Sequence, residues 1–245
     1  MLDFFRKKKQ VPDLSGISTD MHSHLLPGID DGSPDVETSV ELIRGMLELG
    51  YKKFITTPHI MWDVYQNTGE TIGAAHAILQ DALKAEGLTV DIRYAAEYFL
   101  DDYFSQLLDE NKPLLTLNQN WVLIEMSFVT SPYDLKGLLF QLQLKGYQPV
   151  LAHPERYLYL RSNKELFDTL KDAGCLFQLN LLSLAGYYGK PSVELANYLI
   201  KKNYVDLLGT DLHHQRHLDA FHQYGNALET VQRLLDSGKI RNSEL

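Results

Sequence analysis

Histidines and carboxylates recur in this chain wherever a short apolar run gives way to a polar turn. His22 and His24 follow the first run, with the adjacent carboxylates Asp30 and Asp31 a few residues on. His59 stands in Thr57-Pro58-His59 after the second run, Glu97 at the third, and Glu125 after the fourth. His153 opens His153-Pro154-Glu155-Arg156 after the fifth, and Asp211 and His213 follow the seventh. Imidazole and carboxylate groups together are the ligands of divalent metal ions. In a His-x-His pair on an extended segment both rings project to one side, because strand residues two apart share a face. That triplet alone is a weak signal, and a lone buried histidine is more often a hydrogen-bonded core residue than a ligand. The joint pattern is far stronger, since six of the seven runs carry such a residue at or just past the C-terminal end. Four carboxylates brought together repel one another and must take up protons unless cations neutralise them. Nine candidate ligands are too many for one ion and suit two or three that share bridging carboxylates.

The elements that would position these residues alternate along the chain. The apolar runs lie at 17–21, 53–57, 90–95, 121–124, 149–152, 176–180 and 205–208. Helical patterns follow each: from Ser33-Pro34-Asp35 to Gly50, over 71–86, near 99–110, and from Ser131-Pro132 to about Leu142. Three more begin at Ser162, with Glu165 as a capping-box partner, and span 191–202 and 218–236. Seven strand–helix units predict an α/β fold, a parallel sheet with helices outside it. Their unbroken succession favours a closed or nearly closed barrel over a doubly wound open sheet. In such a barrel every strand end points to one face, so ligands far apart in sequence converge.

The 245 residues, 44% of them hydrophobic and 22% charged, read as globular rather than disordered. A net charge of −9 argues against a broad basic face for nucleic acid. The only basic run, Arg6 to Lys9, reads as a solvated N-terminus. One cysteine, Cys175, permits no disulfide within the chain and suits a reducing cytoplasm. No apolar run approaches the ~18 residues needed to cross a bilayer, so the expected location is cytoplasmic. Cys175 is not the nucleophile of a cysteine-based phosphatase, because the Cys-x5-Arg spacing would need arginine where Leu181 stands. His76 and His222 fall in helical segments and are discounted, whereas His214 and His217 flank the last motif and are read either as rim candidates or as ordinary surface residues.

These residues resemble the PHP (polymerase and histidinol phosphatase) family, and within it the manganese-dependent protein-tyrosine phosphatases of bacterial capsule and exopolysaccharide loci. The resemblance rests on Asp20-Met-His-Ser-His-Leu-Leu-Pro-Gly-Ile-Asp-Asp-Gly (20–32), Thr57-Pro58-His59, Glu97, Glu125, His153-Pro-Glu-Arg156 and Asp211-Leu-His213. It implies a single distorted (β/α)7 TIM-like barrel over residues 18–245, with 1–17 as an N-terminal extension. It implies the metal ligands His22, His24, Asp31, His59, Glu97, Glu125, His153, Asp211 and His213, choosing Asp31 over Asp30. Two or three divalent ions are then expected, Mn2+ first, with Fe, Zn, Co or Mg as alternatives. The implied substrate is a phosphotyrosine-bearing bacterial tyrosine autokinase that controls polysaccharide export.

The chemistry expected of such a site is in-line attack on phosphorus by a metal-bridged hydroxide. Arg156, beside a ligand, is the expected phosphate clamp, because its planar fork matches non-bridging oxygens. Arg216 is a second clamp candidate. The phenol leaving group of a tyrosine ester has a pKa of about 10, so strong general-acid help is not compulsory. Met61, Trp62, Tyr65, Tyr157, Tyr159, Tyr187 and Tyr188 crowd the loops after strand ends, where they either flank a phosphotyrosine ring or pack as ordinary loop residues. Rival readings are a small-molecule phosphatase of the histidinol-phosphate type, a nuclease of the same fold, an amidohydrolase-type barrel and a non-catalytic metal-binding regulator. The nuclease would need a positive path for the backbone. Many amidohydrolases need a carboxylated lysine on the fourth strand, where this chain has Glu125.

Overall fold

The computed structural model describes residues 12–225 and 227–245. The basic run Arg6 to Lys9 lies outside them. The described strands form two sheets, and every strand pair is parallel. The first sheet has the order β1-β2-β4, with β1 Thr19–Asp20, β2 Lys53–Thr56 and β4 Asp91–Tyr94. The second has the order β3-β5-β6-β7-β8-β9. Its strands are β3 His59–Ile60, β5 Glu97–Phe99, β6 Trp121–Glu125, β7 Gln148–Ala152, β8 Leu176–Asn180 and β9 Leu207–Gly209.

Seven strand–helix units are therefore present, but two of the expected strands are broken. The second is interrupted at Thr57-Pro58, where proline supplies no N–H to a ladder. The third is interrupted at Ala95-Ala96. Pairing carries on across both breaks through Ala95 N–H to Thr56 O at 2.9 Å and Glu97 N–H to Pro58 O at 3.0 Å. On the other flank, a single parallel bridge joins Ser23 to Leu212. Among the described residues the strands do not close into one continuous hydrogen-bonded barrel.

The helices are α1 Val36–Glu48, α2 Gly69–Ala85, α3 Asp102–Asp109, α4 Leu135–Leu144, α5 Glu165–Asp172, α6 Leu181–Leu184, α7 Lys190–Lys201, α8 Gln215–Phe221 and α9 Ala227–Asp236. Several starts differ from the sequence reading, because the nearest carboxylate takes the cap. Asp35 caps α1 through Thr38 N–H, two residues beyond the start expected at Ser33, and Asp134 caps α4 through Gly137 N–H, three residues beyond the start expected at Ser131. The Ser162–Glu165 capping box does not form; the Ser162 hydroxyl donates to Tyr159 O instead. The helix expected over 218–236 is two helices, α8 and α9. Leu14 and Ile17, inside the expected extension, are buried in the core.

Burial follows strand parity. Phe54, Ile92, Val122, Ile124, Leu151, Phe177 and Leu208 pack outward with the helices. Ile55, Ala95, Trp121, Leu123, Val150, Leu176 and Leu207 form a separate inner cluster. Apolar residues on both faces are the mark of a parallel sheet covered on both sides. The inner face changes character toward the C-terminal ends of several strands. Continuing by twos, Ala95 leads to Glu97, Leu123 to Glu125, and Leu176 to Gln178 and Asn180. The core thus gives way to polar side chains at the C-terminal strand ends.

Candidate metal centre

All nine candidate ligands meet at that end. Their nitrogen and oxygen atoms fall into three overlapping groups: His24, Asp31, His59 and His213; His22, Glu97, His153 and Asp211; and His59, Glu97 and Glu125. Glu97 and His59 each belong to two groups, as a shared cluster requires. Oε2 of Glu97 lies 3.1 Å from His22 Nε2, 3.4 Å from His24 Nε2 and 3.2 Å from His59 Nδ1. Its Oε1 lies 3.3 Å from His153 Nε2, which is also 3.4 Å from Glu125 Oε1. Oδ1 of Asp211 lies 3.3 Å from His22 Nε2 and 3.4 Å from His24 Nε2 and His213 Nδ1. Oδ1 of Asp31 lies 3.4 Å from His59 Nε2 and 3.6 Å from His213 Nε2.

These contacts fit a metal better than a hydrogen-bond network. Glu97 is fully buried, yet neither of its oxygens has a hydrogen-bond partner with acceptable geometry. A native protein rarely leaves a buried carboxylate so. Ligand atoms about 2.1 Å from a shared ion sit roughly 3.0–3.4 Å from one another along the edges of octahedral or tetrahedral coordination. The separations above fall in or near that range. The donor set of imidazoles and carboxylates therefore suits divalent ions.

Surrounding groups fix the ligands. Gln178 Oε1 lies 2.8 Å from His22 Nδ1 and accepts from His153 N–H at 3.3 Å. Asp30 Oδ2 lies 2.8 Å from His24 Nδ1 and accepts from His59 N–H at 3.0 Å. Both contacts leave the Nε2 atoms of His22 and His24 facing the cluster. Asn180 donates to Asp211 Oδ2 at 3.0 Å, and Asp20 accepts from Thr210 N–H and its hydroxyl at 3.1 Å each. His153 and Asp211 hold φ values of 32° and 51°, a left-handed conformation that costs energy outside glycine. Two glycines permit the close approach. A Cβ on Gly32 would stand 2.3 Å from His24 O, and one on Gly209 would stand 2.7 Å from Gln178 Nε2 and 2.9 Å from His22 Cβ.

The electrostatics show a cluster that demands positive charge. Burial raises Glu125 well above the carboxylate range, and repulsion from Glu97 adds to it. Burial also presses on Asp211, but His22, His213 and Arg156 outweigh it and hold this carboxyl well below its ordinary value. Burial, with Arg156 adding, pushes His153 down to about 4. Burial, with His24 adding, pushes His213 down to about 3. Both imidazoles are therefore neutral at pH 7, the form that binds metal. Burial opposes charge on His22 and His24, yet the neighbouring carboxylates win and raise both. Divalent cations would meet the same demand and leave these rings neutral too.

Arg156 reaches the cluster. Its Nη1 donates to Asp211 Oδ2, and its guanidinium carbon lies 4.7 Å from the Phe128 ring centre and 4.3 Å from that of Tyr188. Arg216 is exposed on α8 and forms no ion pair or side-chain hydrogen bond among the described residues. Tyr65 stacks on His59 at 5.6 Å between centroids. Trp62 instead stacks on Tyr103 at 3.9 Å, and Tyr157 is buried with its hydroxyl accepting from Met126 N–H. His76, on α2, has its Nε2 3.0 Å from Ile92 O, and His217 packs against His213 and accepts from His213 N–H through Nδ1 at 3.3 Å. Cys175 is buried in the core.

Sequence reasoning did not single out Gln178, Asn180 or Phe128, and it weighed Asp30 only as an alternative ligand to Asp31. A signal was available for the first two: Gln178 and Asn180 are polar residues two apart in an otherwise apolar strand. Such a pair marks an inner face turned toward a polar centre.

A sequence profile described as "Capsular polysaccharide synthesis, CpsB/CapC" matches residues 18–239. The tyrosine-protein phosphatase YwqE of Bacillus subtilis (strain 168) is 34% identical over 195 residues, which are 79% of this chain and 76% of that protein. The tyrosine-protein phosphatase CpsB of Streptococcus agalactiae serotype V is 28% identical over 200 residues, covering 79% and 82%. A crystal structure from work on YwqE of B. subtilis and CpsB of Streptococcus pneumoniae, described as metal-dependent tyrosine phosphatases, superposes with a TM-score of 0.79. It has 31% identity and covers 88% of this chain and 87% of that one.

Proposed function

The chain belongs to the CpsB/CapC family of capsular polysaccharide synthesis, and from that membership we propose that it is a metal-dependent protein-tyrosine phosphatase acting in capsule or exopolysaccharide synthesis. One observation carries the reading: nine imidazole and carboxylate side chains converge at the C-terminal strand ends around Glu97, whose two buried oxygens have no hydrogen-bond partner.

His22, His24, Asp31, His59, Glu97, Glu125, His153, Asp211 and His213 would hold two or three divalent ions, Mn2+ first among them. Bound there, the ions would polarise phosphoryl oxygens and make water acidic enough to serve as the nucleophile near neutral pH. The chain's own part is to orient and exclude. Gln178 and Asp30 hold His22 and His24 with their Nε2 atoms inward. Arg156 keeps one nitrogen on Asp211 and has others to bind the oxygens of a phosphate ester. Arg216, exposed on the adjacent helix, would meet the substrate at the rim.

The wider reading has the same support. The hydrogen bonds that span both strand breaks, and the Ser23–Leu212 bridge, support one distorted seven-unit barrel over residues 18–245. No helix of the described residues is long and apolar enough to cross a membrane, which accords with a cytoplasmic enzyme. Its protein substrate would be the phosphorylated tyrosine autokinase of a polysaccharide locus.

The test is phosphate release from a phosphotyrosyl peptide by protein stripped with chelator and reloaded with Mn2+, beside His22→Ala. Release that needs the ion and disappears in the variant is expected. A fully loaded protein that releases none would overturn the tyrosine assignment.

A further inference from the structure

Phe128 lies on the loop between β6 and α4, three residues beyond the candidate ligand Glu125. Its side chain is 46% exposed, an unfavourable position for a large apolar ring. Yet the ring is anchored. It stacks on the imidazole of His153, with centroids 5.6 Å apart and planes 25° apart, and it lies 4.7 Å from the Arg156 guanidinium carbon. Tyr157 packs against it at 5.6 Å. Phe128 therefore touches a candidate metal ligand and the candidate phosphate clamp while leaving much of its surface to solvent.

We infer that Phe128 is the wall of an aryl subsite that receives the phenyl ring of the ester substrate. This rests on the phosphatase reading and names what sets its preference among esters. In an aryl phosphate the ring begins one bond beyond the bridging oxygen. A phosphoryl group held between the ligands and Arg156 carries that ring within van der Waals range of any side chain touching both. Phe128 touches both. An alkyl ester places a tetrahedral carbon there and forgoes the ring–ring contact. Such a contact contributes about 0.5–1.5 kcal/mol beyond area burial, or roughly twofold to tenfold in affinity.

The experiment is calorimetric binding of benzylphosphonate and ethylphosphonate, in which a methylene replaces the bridging oxygen, to Mn2+-loaded wild type, Phe128→Ala and Phe128→Tyr, with metal content measured for each. The wild type should prefer benzylphosphonate. Phe128→Ala should weaken benzylphosphonate about fivefold while ethylphosphonate changes by less than about twofold, and Phe128→Tyr should keep the preference. If the alanine variant loses metal, Phe128→Leu, which keeps an apolar group on His153, must show the same selective loss. Equal weakening of both ligands would mean that Phe128 acts only by holding Arg156, and would overturn the proposal. So would an unchanged preference in the variant, or no phenyl preference in the wild type. Failure of the phosphatase reading is seen separately, as no phosphate release from a phosphotyrosyl peptide by the loaded wild type.

Discussion

Asp211 turns one carboxylate oxygen to three histidines and gives the other to Arg156. Oδ1 faces His22, His24 and His213, while Oδ2 accepts from Arg156 Nη1 and from Asn180. The candidate clamp is thereby tied to the candidate ligand set, and its geometry depends on a planar fork between two aromatic rings. Lysine keeps the charge but loses the fork and the stacking. Arg156→Lys should retain metal and lower kcat/KM on a phosphotyrosyl peptide by roughly 100-fold, about 2.7 kcal/mol. Steady-state kinetics alongside metal analysis check this. Unchanged kinetics would remove Arg156 from substrate binding.

Gln178 contacts His22 Nδ1 and the His153 backbone at once. Partners of this kind orient metal-bound histidines, and losing one typically weakens metal binding about 10- to 100-fold. Gln178→Leu, similar in size, should shift a Mn2+ titration by that factor and leave the far-ultraviolet circular dichroism unchanged. A titration superposing on the wild type would show that the contact does no orienting.

Glu155 is fully buried, and burial raises its carboxyl from near 4.5 to about 7. Its Oε1 accepts from Ser183 and Asn180, while Oε2 has no partner. Because the folded pKa is the higher one, the folded chain keeps a proton that the unfolded chain releases above pH ~4.5. This contribution to stability is present below the unfolded value and is lost as pH rises toward 7. It amounts to about 3 kcal/mol at most. Urea unfolding of metal-stripped protein at pH 5 and pH 8 should show a smaller difference for Glu155→Gln than for wild type. Equal differences would locate the pH dependence elsewhere.

Burial pushes the Cys175 thiol up to about 12, so the reactive thiolate is scarce at neutral pH. Iodoacetamide should leave the folded protein unlabelled and fully active, and should label it after unfolding. Inactivation that parallels labelling of the native protein would contradict a catalytic role confined to the candidate metal centre.

Much was written locally in the chain. Short apolar runs alternating with helical patterns located the seven strand–helix units, and a ligand-type residue after nearly every strand made the candidate ligand cluster legible in the sequence. That legibility has a simple cause: parallel strands send their C-terminal ends to one face, so residues read off separately must meet. What local patterns do not carry is what happens between strands. Pro58 and the Ala95-Ala96 step broke two strands and divided the sheet, a matter of ladder hydrogen bonds rather than hydrophobic period. Asp35 and Asp134 set helix starts later than the Ser-Pro pairs suggested, because the start depends on which oxygen the folded backbone brings to the free N–H. The adjacent carboxylates Asp30 and Asp31 have the same chemistry, and only folding placed one behind His24 and the other between His59 and His213. The binding of Arg156 to Asp211 and the stacking of Phe128 on His153 likewise join residues 55 and 25 positions apart. Such pairings are decided by packing in three dimensions, and no spacing along one strand or helix encodes them.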